Sequence, residues 1–176
     1  TLESGVALKT GAKYRFTNVK PDLDAIVQIK SSTGGITLDA IDETWTGFDK
    51  AFQPFIKVPP LSDGYVEFDI KFVKAGTNTP VVQVEIPVTP LDVDGDDLSG
   101  GNIYEQDMIE LKNGYYNFDM ASYNLSITNP TDADLTSWVS GKNTSGFYYD
   151  GIDTTAKDVM FTTVNANTSS FRIRIG

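Results

Sequence analysis

The chain has 176 residues, a formal net charge of −10, and neither cysteine nor histidine. Fourteen basic residues against 24 acidic ones disfavour nucleic-acid binding, which depends on Lys and Arg at the phosphates. The missing residue types exclude thiolate nucleophiles, disulfides, Ser-His triads and nearly every zinc site.

Hydrophobic residues make up 40% of the chain, enough for a packed core. The length suits one large β domain or two small ones. No apolar run is long enough to span a bilayer. Thr1 is not a natural start, so the chain is read as a fragment of a longer protein.

Residues 13–19 alternate large and polar side chains, beginning with Tyr14, Arg15 and Phe16, and predict a half-buried strand. Pro21-Asp22 turns the chain, and residues 24–29 predict the next strand. A turn over 31–35 leads to a short strand at 36–38. Residues 39–50, with Asp39, Asp42, Glu43, Trp45 and Asp49, read as a loop with one helical turn. Residues 51–58 form a strand interrupted by Pro54, which suits an edge or a bulge.

The clearest strand is 64–73, where Val66, Phe68, Ile70 and Phe72 point one way and Glu67, Asp69 and Lys71 the other. A turn over 75–80 precedes a strand at 81–86. Further strands are predicted at 103–111, 115–120, 123–128, 158–164 and 170–175. Residues 129–146 read as a polar loop containing Trp138. No segment carries a helical apolar period beyond a turn or two. The fold class is therefore all-β, an antiparallel β-sandwich with long loops.

Between the strands at 81–86 and 103–111 lies a dense acidic loop. Asp92, Asp94, Asp96 and Asp97 fall within six residues, and Glu105 and Asp107 follow. Carboxylates this close repel unless a cation lies among them, and an oxygen-rich set points to calcium. Taken as an EF-hand, Asp94 is first, Asp96 third and Glu105 twelfth. Leu98 then stands at a ligand position and Ser99 at the glycine position, so this is a calcium loop of another kind. Gly95 and Gly100-Gly101 allow a tight path. The alternative is a solvated acidic turn.

Two further acidic pairs are candidates for metal. Asp22 and Asp24 flank a turn and serve either as ligands or in ordinary turn hydrogen bonding. Asp150 and Asp153 surround Gly151, as a second calcium site or as turn caps. Carboxylate pairs also run glycoside hydrolysis, but here pairs are so abundant that they carry no signal. No phosphate loop, nucleophile elbow or metalloprotease motif is present, so no enzyme is expected. Trp45, Trp138, Tyr148 and Tyr149 fall in predicted loops, as contacts for sugar or peptide or as plugs for the sandwich ends.

The chain is read as a single domain, with two related halves at about 12–86 and 103–176 joined by the acidic loop. Tyr14-Arg15-Phe16 matches Tyr116-Asn117-Phe118, and Val66-Glu67-Phe68-Asp69-Ile70 matches Ser169-Ser170-Phe171-Arg172-Ile173. Coincidence among short strands is the other reading.

Several runs carry a family likeness. They are Tyr14-Arg15-Phe16-Thr17-Asn18-Val19, Thr46-Gly47-Phe48-Asp49-Lys50-Ala51-Phe52-Gln53-Pro54, Leu91-Asp92-Val93-Asp94-Gly95 and Tyr149-Asp150-Gly151-Ile152-Asp153. Through them, from about Tyr14 onward, the chain resembles the calcium-dependent peptide-binding domain of large repeats-in-toxin (RTX) bacterial adhesins.

The resemblance implies a calcium-rich β-sandwich, exported by type I secretion to the surface of a Gram-negative bacterium. It implies several bound Ca²⁺ and capture of a peptide or protein C-terminus in cell adhesion and biofilm formation. Tyr149, Asn78 and Lys157 are the ligand-binding candidates. A calcium-dependent carbohydrate-binding module and a calcium-stiffened structural extender are the alternatives. Neither nucleic acid nor membrane insertion is expected, and the unit is read as a monomeric module.

Overall fold

The computed structural model of the protein describes residues 1–44, 48–96, 103–119 and 124–176. Its main layer is an eight-stranded sheet in which all neighbours are antiparallel. The strands are β1 (Leu2–Ser4), β2 (Lys13–Lys20), β3 (Leu23–Ser32), β6 (Val66–Lys74), β15 (Ser170–Ile175), β10 (Gln106–Glu110), β13 (Trp138–Asn143) and β12 (Leu125–Thr128), in that order across the sheet. A second layer contains β11 (Tyr115–Asn117), β14 (Thr162–Thr168) and β7 (Gln83–Val88), beside the hairpin of β4 (Thr37–Ala40) and β5 (Phe55–Lys57). A small ladder joins β8 (Gly95–Asp96) to β9 (Ile103–Tyr104).

Alternation in the sequence becomes the core because every second side chain of a strand faces the same side. Val139, Ile109, Ile173, Phe68 and Ile29 form one inward row across five strands. Phe171, Ile70, Val27 and Tyr14 form the next inward row. Ile86, Leu38, Val93 and Phe161 close the core from the other layer. Phe52 packs its ring edge-on to both Phe16 and Phe68, at 5.8 and 5.5 Å between centres. Each fully buried side chain of this kind contributes about 1.5–3 kcal/mol.

The all-β sandwich expected from the sequence is what the chain forms. Its one helical piece among the described residues is a 3-10 turn at Lys157–Val159. No helix among the described residues is long and apolar enough to cross a membrane.

Three local expectations need correcting. Residues 138–143 are not loop but β13, a strand inside the large sheet. Trp138 is therefore no loop aromatic but fully buried. The last-but-one strand starts at Thr162 rather than 158, because Val159 is drawn into the core at the 3-10 turn. The strand expected at 103–111 breaks at Glu105: Ile103–Tyr104 pairs with β8, whereas Gln106–Glu110 pairs with β13 and β15. Residues 12–86 and 103–176 share one core and contribute strands to the same sheets. β15 pairs with β6, and β11 lies in the small sheet while β2 lies in the large one.

Residues 129–137 lie over an interlocked ionic layer on the outer face of the large sheet. Arg174 bonds Glu67 at 2.8 Å and Asp132 at 2.6 Å, with its guanidinium 3.9 Å from the Trp138 ring centre. Arg172 reaches Glu67 and Glu110, each at 3.3 Å. Arg174 holds Asp132 below the ordinary carboxylate range.

Candidate functional site

The acidic loop is pinned before it begins to display its carboxylates. Val93 is completely buried, and its amide donates to Val159 O at 3.1 Å. Asn143, 1% exposed, ties three segments together. Its amide nitrogen donates to Val93 O and Phe147 O, and its oxygen accepts from the amides of Ser145 and Gly146.

Gly95 is required by close approach. A Cβ there would lie 2.7 Å from Gly146 Cα and 2.9 Å from Asn143 Oδ1. Crowding at the end of β13, not the tight path expected from the sequence, is what calls for glycine here.

This frame brings Asp92, Asp94, Glu105 and Asp107 together. Asp94 and Glu105 are joined by backbone, Glu105 N donating to Asp94 O at 2.8 Å. The amide of Asp94 in turn donates to Glu105 Oε2 at 3.2 Å. Tyr149 N donates to Asp94 Oδ2 at 2.7 Å. Asp92 Oδ1 and Asp94 Oδ1 are buried with no hydrogen-bond partner. None of the four carboxylates is in an ion pair with a described lysine or arginine.

The electrostatics follow from that crowding. Burial, then the charges of Asp94 and Asp153, push Asp92 up to about 7. Burial and the charge of Asp92 push Asp107 up to about 7 as well. Glu105 is pushed up to about 8, first by the loss of water around its carboxyl and then by Asp107, although the residue as a whole keeps exposed surface. Asp94 is raised by burial, opposed by the Tyr149 amide, with Asp158 adding repulsion. Such groups need either protons or a cation. Among the described residues, no three acidic side chains converge as a ready-made metal cage.

The other expected residues are placed as follows. Asp96 sits in β8, half-buried, opposite Ile103. Asp97 lies outside the described residues, as do Trp45 and Gly100-Gly101. Asp153 borders the cluster electrostatically, but its carboxylate is capped by Thr155, which holds it below the ordinary range. Asp150 is exposed in the bend beside it.

Asp22 and Asp24 are elsewhere. Asp22 is exposed in the β2–β3 turn at φ 59°. The buried Asp24 carboxylate is taken up by Gly76 N, Asn18 N and Arg15, which lower its pKa in that order of effect. Asn78 is in that same region, accepting from Arg15 at 2.6 Å.

Tyr149 does belong to the cluster. Its hydroxyl donates to Asp158 Oδ1 at 2.7 Å, and Asn124 donates to Asp158 Oδ2 at 2.7 Å. Lys157, next to Asp158, lies 3.6 Å from Asp119. Asp158, Asn124 and Asn143 were missed from the sequence. Ile103, Tyr104, Phe147 and Tyr148, all exposed, lie on the segments that frame the cluster. Phe147 stands edge-on to Tyr149 at 5.1 Å.

The chain matches no family model, no curated protein and no solved structure.

Proposed function

We propose that the chain is a calcium-dependent ligand-binding module of a bacterial surface adhesin, capturing the free C-terminus of a peptide or protein without catalytic turnover. The observation that carries this reading is the pair of buried, unpartnered oxygens on Asp92 and Asp94 within a cluster of raised carboxylates. A buried acceptor without a donor is costly. An all-oxygen set suits a hard cation with flexible coordination, as calcium is.

When bound, calcium supplies local positive charge and a coordination position for an outside oxygen. Asp92, Asp94, Glu105 and Asp107 are the residues that would hold it, and Tyr149 orients Asp94 through its amide. A peptide carboxylate would be repelled by a molecule of net charge −10 without that reversal of sign. The exposed rings of Phe147 and Tyr148 and the exposed Lys157 border the site and supply side-chain selectivity.

The motif likeness to RTX adhesins supports an extracellular position on a Gram-negative cell surface and a role in adhesion and biofilm formation. Exposed Tyr104 and Tyr148 beside the cluster favour a second reading, calcium-dependent sugar binding, since rings stack on sugar faces and hydroxyls ligate calcium.

Titration calorimetry with one peptide as free acid and as C-terminal amide tests the reading. The free acid binds in calcium and at least about tenfold (1.4 kcal/mol) more tightly than the amide. Chelator abolishes binding of both. Equal binding of acid and amide, or binding of glycans alone, overturns carboxylate capture.

A further inference from the structure

Asn143 closes β13 and is buried, and its side chain bonds to no carboxylate among the described residues. It is nevertheless bonded to every segment that builds the cluster. Its side-chain nitrogen donates to Val93 O at 3.2 Å, between Asp92 and Asp94. Its backbone amide donates to Glu105 O at 2.8 Å. The side-chain nitrogen also donates to Phe147 O at 3.3 Å. The side-chain oxygen accepts from Ser145 N at 3.1 Å and from Gly146 N at 2.9 Å.

Both donors of the side-chain amide and both acceptor positions of its oxygen are thereby used. Aspartate has no donor to offer at this place, and serine has only one. Burial keeps these bonds from being exchanged for bonds to water, so losing them is costly. Two of the joined segments repel each other, since Asp92 and Asp94 act on Glu105, and Asp92 acts on Asp107. The third segment, residues 145–149, lies against the acidic loop through its backbone. Gly95 N donates to Phe147 O at 3.0 Å, and Tyr149 N donates to Asp94 Oδ2 at 2.7 Å. Phe147 and Tyr148 are 49% and 46% exposed, so backbone bonds, more than packing, set where their rings stand.

We propose that Asn143 is a positioning residue that joins the acidic loop and residues 145–149 into one cooperative unit, so that a divalent cation among the carboxylates also orders Phe147 and Tyr148 for the ligand. The proposal rests on the cation reading above and adds to it a route by which cation occupancy regulates ligand binding. The route is physical: neutralised carboxylates let the segments at 92–94 and 105–107 settle, and Asn143 references residues 145–149 to both. Order gained in the ring-bearing segment before the ligand arrives lowers the cost of binding it. The coupling is reciprocal, so a ligand that orders residues 145–149 tightens the hold on the cation by the same factor.

Residue-resolved amide hydrogen exchange in calcium and in chelator, at constant ionic strength, tests it, with calcium binding followed by calorimetry. The deciding amides are those of Phe147 and Tyr149, which donate to Ser145 Oγ and Asp94 Oδ2 rather than to Asn143. In the parent, calcium is expected to slow both at least about tenfold, together with Ser145 and Gly146. In Asn143→Ala, calcium still binds, but Phe147 and Tyr149 gain less than about threefold. Val27→Ala, a core truncation in β3, lowers stability and keeps the parent's response. Calcium binding without slower exchange at Phe147 and Tyr149 in the parent overturns the proposal. So does a parent-like gain in Asn143→Ala, or an equal loss in Val27→Ala. Should Asn143→Ala fail to fold, the parent decides: equal gains at residues 145, 146, 147 and 149 support one unit. A gain at Tyr149 alone assigns the coupling to its bond with Asp94 and overturns the role of Asn143. A parent that binds no calcium overturns the cation reading itself, and this inference with it.

Discussion

Asp92 shows how one side chain can be unfavourable to the fold that holds it. Its carboxyl is pushed up to about 7, and those of Asp107 and Glu105 to about 7 and about 8. In the unfolded chain they titrate near 4. Between about pH 4 and pH 8 the folded state therefore holds more protons than the unfolded state, and stability falls as pH rises through that window. In chelator, the melting temperature should decline steadily from pH 5 to pH 8.5. Asp92→Asn, which cannot charge, should flatten that decline and melt higher than the parent at pH 8.5 without metal. It should also lose much of the response to calcium. A scan in which Asp92→Asn melts lower than the parent at pH 8.5 would count against repulsion as the cost at this site. Asp24 is the opposite case, since its donors lower its pKa and favour its charged form. Two acidic residues that look alike in sequence thus differ because one gained donors on folding and the other gained like charges.

At the scale of elements, β13 explains both what the sequence conceals and what holds the site. Strands with one wet face announced themselves by alternation, as β6 did through Val66, Phe68 and Ile70. In β13, Trp138, Val139, Ser140, Gly141 and Asn143 are all buried, so a strand covered on both faces shows no alternation. Its polar residues are matched by partners far away in sequence, Ser140 by Gln106 and Asn143 by Val93. The acidic loop was legible because its charges are local, whereas Asn143, Asn124 and Asp158 enter the site only through long-range packing. Gly141 is set by that packing too. A Cβ there would lie 2.5 Å from Phe161 Cε1, on a ring that is 2% exposed. Gly141→Ala should therefore cost about 1–3 kcal/mol in urea unfolding, as overpacking of a core does. An unchanged midpoint would mean that the Phe161 ring moves freely, and that β13 does not clamp the loop as tightly as the contacts imply.

For the molecule as a whole, a net charge of −10 with raised carboxyls gathered around Asp92 would link folding to cations. Screening by salt acts on every exposed charge and falls off within about 10 Å at 0.1 M. A specific cation acts only where unpartnered oxygens meet, at Asp92 and Asp94. The two are separable at matched ionic strength. Binding to the folded state alone adds about 3 kcal/mol at a hundredfold excess over Kd. For a chain of this size that raises the melting temperature by roughly 5–11 °C. Calcium should give this rise over chelator with sodium chloride held constant. Magnesium should give far less, because it parts reluctantly with its water and demands stricter geometry. Equal melting in calcium and in chelator would remove the metal from the account. Equal effects of magnesium and calcium would reduce it to general charge neutralisation, leaving the buried oxygens of Asp92 and Asp94 to be satisfied by protons alone.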